Sequence, residues 1–132
     1  MQVQAATDYA IRILNYLHSH DKELPTAMTI SQATGVSYPF FTKVASQLKQ
    51  SGLLDTVQGR NGGFILARPA TEISIYDVFQ AIEGKLYIKR CLKDKRFCNK
   101  DTTSSCSAHD YFLALQNDII VNMSRKYIAD FS

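Results

Sequence analysis

A break at Gly35-Val36-Ser37 limits the fold more than any other feature of the chain. Before it, Met28 to Thr34 has the length and pattern of a short helix that stops at Gly35. After it, Ser37 is a candidate N-cap, and Pro39 falls in the first turn, where its missing N–H costs nothing. The second helix buries Phe41, Val44, Ala45 and Leu48 on one stripe and ends at Ser51-Gly52. Two short helices joined this tightly are a helix-turn-helix pattern. Two apolar runs follow, Leu53 to Val57 and Phe64 to Ala67, around Gln58-Gly59-Arg60-Asn61-Gly62-Gly63. Asn-Gly between strands predicts a hairpin, because both residues tolerate positive φ. That order of elements is a winged helix-turn-helix.

The flanking segments fit the same architecture. Ala6, Ala10, Ile13, Leu14 and Leu17 share a helical stripe, with Thr7 or an earlier residue as its cap. Residues 18–25 are polar, end in Pro25, and read as a loop. Ser74 is a candidate cap for a helix that carries Val78, Phe79 and Ile82 and closes at Gly84. From Ala108 to Phe131 the pattern is helical again. Phe112, Leu115, Ile119 and Met123 form one stripe, widened by Leu113, Ile120, Tyr127 and Ile128. A helix apolar over so much of its circumference calls for a second protein surface, so it is expected to dimerise. The expected fold is mainly α with a small β-hairpin. Residues 1–84 form the winged helix-turn-helix, 85–107 a cysteine-rich loop and 108–132 a long C-terminal dimerisation helix.

At 132 residues the chain can bury a core without disulfide staples. No apolar run approaches the roughly 18 residues that a membrane span requires. Residues 1–12 lack the basic start and apolar stretch of a signal peptide, so a soluble, cytoplasmic protein is expected. An enzyme is not expected. His18 and His20 sit on a polar loop without a nucleophile or carboxylate pair nearby in sequence, and there is no phosphate-cradling glycine loop.

The net charge of +3 is unevenly spread. Residues 1–84 hold six Lys/Arg and seven Asp/Glu, whereas residues 85–100 hold seven Lys/Arg against Asp94 alone. Within 38–68, however, Lys43, Lys49, Arg60 and Arg68 face only Asp55. A recognition helix places its first turns against base edges in the major groove. Here those turns carry Ser37, Tyr38, Pro39, Phe40, Thr42 and Lys43, with Gln47 and Lys49 further along toward the backbone. The wing tip, with Gln58, Arg60 and Asn61, suits entry into a minor groove.

All three cysteines fall in one stretch, Cys91-x6-Cys98-x7-Cys106. In a reducing compartment such a cluster reads as metal-binding or redox-active sooner than as a disulfide framework. The spacing matches neither the short pairs of zinc sites nor the tight runs of cubane ferredoxins. A wide loop can wrap a larger inorganic core, and three thiolates leave one position for a weaker ligand. The surrounding Lys and Arg favour thiolate.

These residues together resemble the Rrf-type winged-helix transcription regulators, a bacterial family with iron–sulfur members of the IscR and NsrR kinds. The resemblance runs from Asp8 to about Tyr127. It is carried by Asp8-Tyr9-Ala10-Ile11-Arg12, by Gly35 to Lys43, by Ser51-Gly52-Leu53-Leu54, by the wing Gly59 to Ala67, and by Ile75-Tyr76-Asp77-Val78 through Ile82-Glu83-Gly84. It implies a homodimer that crosses its long helices and presents two recognition helices to a palindromic duplex operator. It also implies an iron–sulfur cluster, 4Fe-4S or 2Fe-2S, on Cys91, Cys98 and Cys106. The fourth ligand varies among members. An NsrR-like pattern implies Asp8 of the partner subunit, and an IscR-like pattern His109; the stretch around Asp8 tips the reading toward Asp8. The chain departs from the family in its wider cysteine gaps and in Gln58, where members carry arginine. The function expected is a transcription regulator, a repressor, whose DNA affinity follows iron–sulfur status, nitric oxide or redox stress. The alternatives are a thiol-based redox regulator without a cluster and a small iron–sulfur or zinc interaction module.

Overall fold

The computed structural model describes residues 2–88, 92 and 107–131. Helix α1 (Ala5–Ser19) runs into a loop, then α2 (Ala27–Thr34) and α3 (Tyr38–Gln50) follow with the turn between them. Strands β1 (Leu54–Val57) and β2 (Gly63–Leu66) pair antiparallel, Leu54 opposite Leu66 and Val57 opposite Gly63. A 3-10 turn (Ala70–Glu72) leads to α4 (Ile75–Glu83). Helix α5 (Ser107–Arg125) and a 3-10 turn (Ile128–Phe131) end the chain. This is the mainly helical, winged helix-turn-helix architecture that the sequence implied.

The stripes read from periodicity in α1, α3 and α4 are the buried faces, whereas Phe112, Leu115, Ile119 and Met123 of α5 are only half-buried. Ile13, Leu14 and Leu17 of α1, Ile30 of α2, Phe41, Val44 and Leu48 of α3, and Val78 of α4 meet in one core. Phe41 and Phe64 pack edge to face at 5.2 Å, which ties the recognition helix to the wing. Lys49 Nζ donates to Thr56 Oγ1 at 3.0 Å and joins the end of α3 to β1.

Caps follow the sequence in part. Ser74 caps α4 in a full capping box, accepting from the Asp77 amide while Asp77 accepts from the Ser74 amide. Ser37 holds the cap position of α3, but its side chain makes no capping bond. Thr7 does not cap α1. Gln4 stands at that position without a side-chain cap, and Glu83 at the far end of α4 accepts instead from the Gln4 amide and the Thr7 hydroxyl. A carboxylate there opposes the positive end of the α1 dipole.

Two local expectations change. The wing is not closed by Asn61-Gly62 at positive φ. The loop spans five residues, 58–62, and its left-handed position is Gly59 (φ +114). The other change is at the C-terminus, where the helical pattern runs to Phe131 but α5 ends at Arg125. The chain then turns back: Ile128 N–H donates to Ile73 O at 2.9 Å, Ile75 N–H donates to Lys126 O at 2.8 Å, and Ile128 is fully buried in the winged-domain core. Ile128 therefore serves the core of its own chain, not the apolar stripe of α5.

Candidate nucleic-acid interface and metal centre

The burial of Phe41, Val44, Ala45 and Leu48 dictates which side of α3 faces outward. Tyr38, Pro39, Thr42 and Lys43 lie on that side and are exposed, as is Ser37 just before the helix, whereas Gln47 is half-buried. Thr42 Oγ1 donates to Tyr38 O at 3.0 Å, so its methyl and lone pairs remain for a base edge. Phe40 points inward and packs edge to face on Tyr9 of α1 at 5.2 Å. Ser46, not among the residues expected from the sequence, lies one turn beyond Thr42 on the same face and is exposed. Ser46 joins Tyr38, Thr42, Lys49 and Phe64 in lining a groove of about 270 Å³ between recognition helix and wing. The signal was present in the four-residue spacing from Thr42.

At the wing, Gln58, Arg60 and Asn61 are all exposed at the tip. The hairpin is braced from outside its own sheet. Phe64 N–H donates to Pro25 O at 3.0 Å, and a side chain at Gly63 would meet Leu24 O at 2.3 Å. Leu24 itself adopts φ +50, a left-handed conformation costly for a branched residue. The α1–α2 loop thus fixes the wing's height above α3.

Cys91, Cys98 and Cys106 lie outside the described residues. The two candidates for a fourth ligand are described, on separate helices. Asp8 is half exposed on α1 and pairs with Arg12 at 2.7 Å, and the Arg12 guanidinium sits 5.4 Å from the centre of the Tyr9 ring. His109, in the first turn of α5, has its Nδ1 buried and, among the described residues, without a hydrogen-bond partner. Among the described residues no three His, Cys, Asp or Glu side chains converge on a metal position. Of α5, Tyr111, Leu113 and Val121 are exposed.

A helix with an exposed polar face, backed by a braced two-stranded wing, defines a winged helix-turn-helix fold. The model of the Rrf2 family, described as iron-dependent transcriptional regulator, matches residues 3–132. The chain belongs to that family of transcriptional regulators. It is 38% identical over 93 residues to Protein aau3 of Rhizobium meliloti (70% of this chain, 60% of that protein). It is 37% identical over 92 residues to the HTH-type transcriptional regulator NsrR of Shouchella clausii (69% of this chain, 62% of that protein). The match thus spans about three-fifths of these relatives' length. The fold is that of T. potens IscR (TM-score 0.77, 22% identity, 99% of this chain and 85% of that one). It is also that of CymR, the global cysteine regulator of B. subtilis (TM-score 0.78, 14% identity, 99% and 95%). No helix among the described residues is long and apolar enough to cross a membrane.

Proposed function

We propose that the protein is a homodimeric repressor in the cytoplasm that binds a palindromic duplex operator with an affinity set by an iron–sulfur cluster. The observation that carries the DNA half is the exposed row Tyr38, Thr42 and Lys43 on a helix whose opposite face is wholly buried. These residues read base edges in the major groove, with Ser37 and Pro39 beside them. Gln47 lies further along, and Gln58, Arg60 and Asn61 follow the minor groove. Two such helices in a two-fold dimer span half-sites about 34 Å apart. The exposed Tyr111, Leu113 and Val121 of α5 supply the apolar surface on which a second copy packs.

The donor set fits a cluster. Cys91, Cys98 and Cys106 would hold it as thiolates in a cationic segment. When bound, the group supplies iron open to oxidation and to nitric oxide. Asp8 of the partner subunit is the fourth ligand we favour, since its carboxylate is half exposed and, among the described residues, held only by Arg12. His109 is the second reading, favoured by a buried Nδ1 that has no partner among the described residues. Tyr9 follows Asp8 and packs on Phe40, so a change of partner at Asp8 lies one residue from a side chain of the recognition helix. A coupling of about 1–3 kcal/mol is typical of such effectors.

The test is absorption and iron content of protein isolated without oxygen, beside Cys98→Ala, followed by operator binding with and without the cluster. A brown wild type, a colourless Cys98→Ala and unequal operator affinities are expected. Equal affinities end the sensing proposal. The likeness of fold to CymR, a cysteine regulator, favours one rival: thiols that form a reversible disulfide, each bond releasing two protons and two electrons to an oxidant. Colourless protein with oxidant-dependent mobility selects that rival.

A further inference from the structure

We propose that Gln116 is a positioning residue that fastens the entry of the cysteine segment to α5 and passes a change in that segment to the helix. The proposal rests on the sensing function above. Gln116 is only 4% exposed and is the one buried residue of α5, flanked by half-buried Leu115 and Ile119. An amphipathic helix ordinarily puts a Leu or Ile at its most covered position. Here an amide stands there, and its Oε1 accepts from the Ile88 backbone N–H at 3.0 Å. Two residues earlier, the buried Leu86 donates its N–H to the Tyr76 hydroxyl at 3.4 Å. The chain is therefore held to α4 at Leu86 and to α5 at Ile88, three residues before Cys91.

A Leu at position 116 would bury more apolar surface without a polar atom to satisfy. The amide is stable there only while its bond is made, because a buried carbonyl left unpaired is costly. Movement of Ile88 therefore cannot leave α5 undisturbed. It either carries the Gln116 side chain along or strands its acceptor. On this account a change that displaces Ile88 is felt at α5 through one hydrogen bond, twenty-eight residues long in sequence.

Gln116→Met keeps the length and removes the acceptor; Gln116→Glu restores an acceptor oxygen. In the full-length protein, amide exchange at Ile88 should quicken about tenfold or more in Gln116→Met, with the amides of α1 and α3 unchanged. Operator affinity of the cluster-free form should stay within about twofold of wild type, while the loaded-to-free affinity ratio shrinks about fivefold or more. Gln116→Glu should recover both readouts in large part. A ratio unchanged in Gln116→Met, or a Gln116→Glu no better than Gln116→Met, overturns the proposal. Should Gln116→Met not fold, Ile88→Pro deletes the donor instead and must narrow the ratio in the same way. A wild type whose loaded and free forms bind equally sinks the sensing function. In that case unchanged Ile88 exchange refutes the anchoring, and quickened exchange restricts Gln116 to a structural tie and overturns its part in transmission.

Discussion

Gly63→Ala tests whether the α1–α2 loop sets the position of the wing. The added methyl would lie 2.3 Å from Leu24 O and 2.6 Å from Pro25 O. Both are backbone atoms, so no side chain can swing aside. Reaching ordinary contact distance requires the wing or the loop to retreat by about 1 Å, and forced overpacking of this kind costs about 1–3 kcal/mol. The retreat also breaks the hydrogen bond from Phe64 N–H to Pro25 O, now 3.0 Å long, worth about 1 kcal/mol net. Together the loss is about 2–4 kcal/mol. At about 3–5 °C per kcal/mol for a domain of this size, Tm should fall by roughly 6–20 °C, read at one fixed protein concentration because dimerisation would shift it. Amide exchange should quicken at Phe64 and stay slow at Leu14 and Val44 in the core. On the proposed function, operator affinity falls as well, since Arg60 at the tip moves with the wing. A variant within about 2 °C of wild type, with Phe64 still protected, would refute the reasoning.

Asp77→Ala removes one half of the α4 capping box and the partner of Arg68, whose ion pair at 3.1 Å is about two-fifths exposed and so contributes little. Urea unfolding should show a loss of about 1–2 kcal/mol, with Asp77→Asn losing less because its amide oxygen still accepts from the Ser74 N–H. Phe41→Ala empties the contact between recognition helix, core and wing, and should cost about 3–5 kcal/mol in the same assay. Lys43→Ala should leave Tm unchanged and reduce the salt dependence of operator binding by about one phosphate contact if Lys43 meets the backbone, whereas relaxed base preference at an unchanged slope assigns it to a base edge.

What the sequence disclosed and what it withheld divide along a physical line. Periodicity reports which face of a helix avoids water, and every stripe in α1, α3 and α4 was legible because one core covers them all. It does not report what does the covering. Ile128 continued the helical pattern of α5, yet it belongs to the winged core, because the backbone N–H and C=O groups of residues 73–75 offered the segment after Arg125 a pairing that outweighed one more helical turn. Polar contacts between distant residues were likewise invisible. Glu83 at the head of α1 and Gln116 at Ile88 are each set by packing that no local motif encodes. The wing shows a third case: Asn61-Gly62 announced a hairpin correctly, but Gly59 took the left-handed position, because the turn needed five residues rather than two. The exposed face of α3 was legible except for Ser46, since exposure there is the complement of burial. The proposed metal ligands rest on residue types and spacing alone, a matter of chemistry and not of periodicity. On the proposed function, periodicity does not choose between Asp8 and His109, for the choice would depend on which subunit's helix reaches the cysteines. An ion pair 2.7 Å long can be given up for a metal only if the new bond outweighs it, whereas the buried Nδ1 of His109 has no partner to give up among the described residues. Substituting each residue alone by alanine and following the charge-transfer absorption decides between them: the variant whose spectrum changes names the ligand.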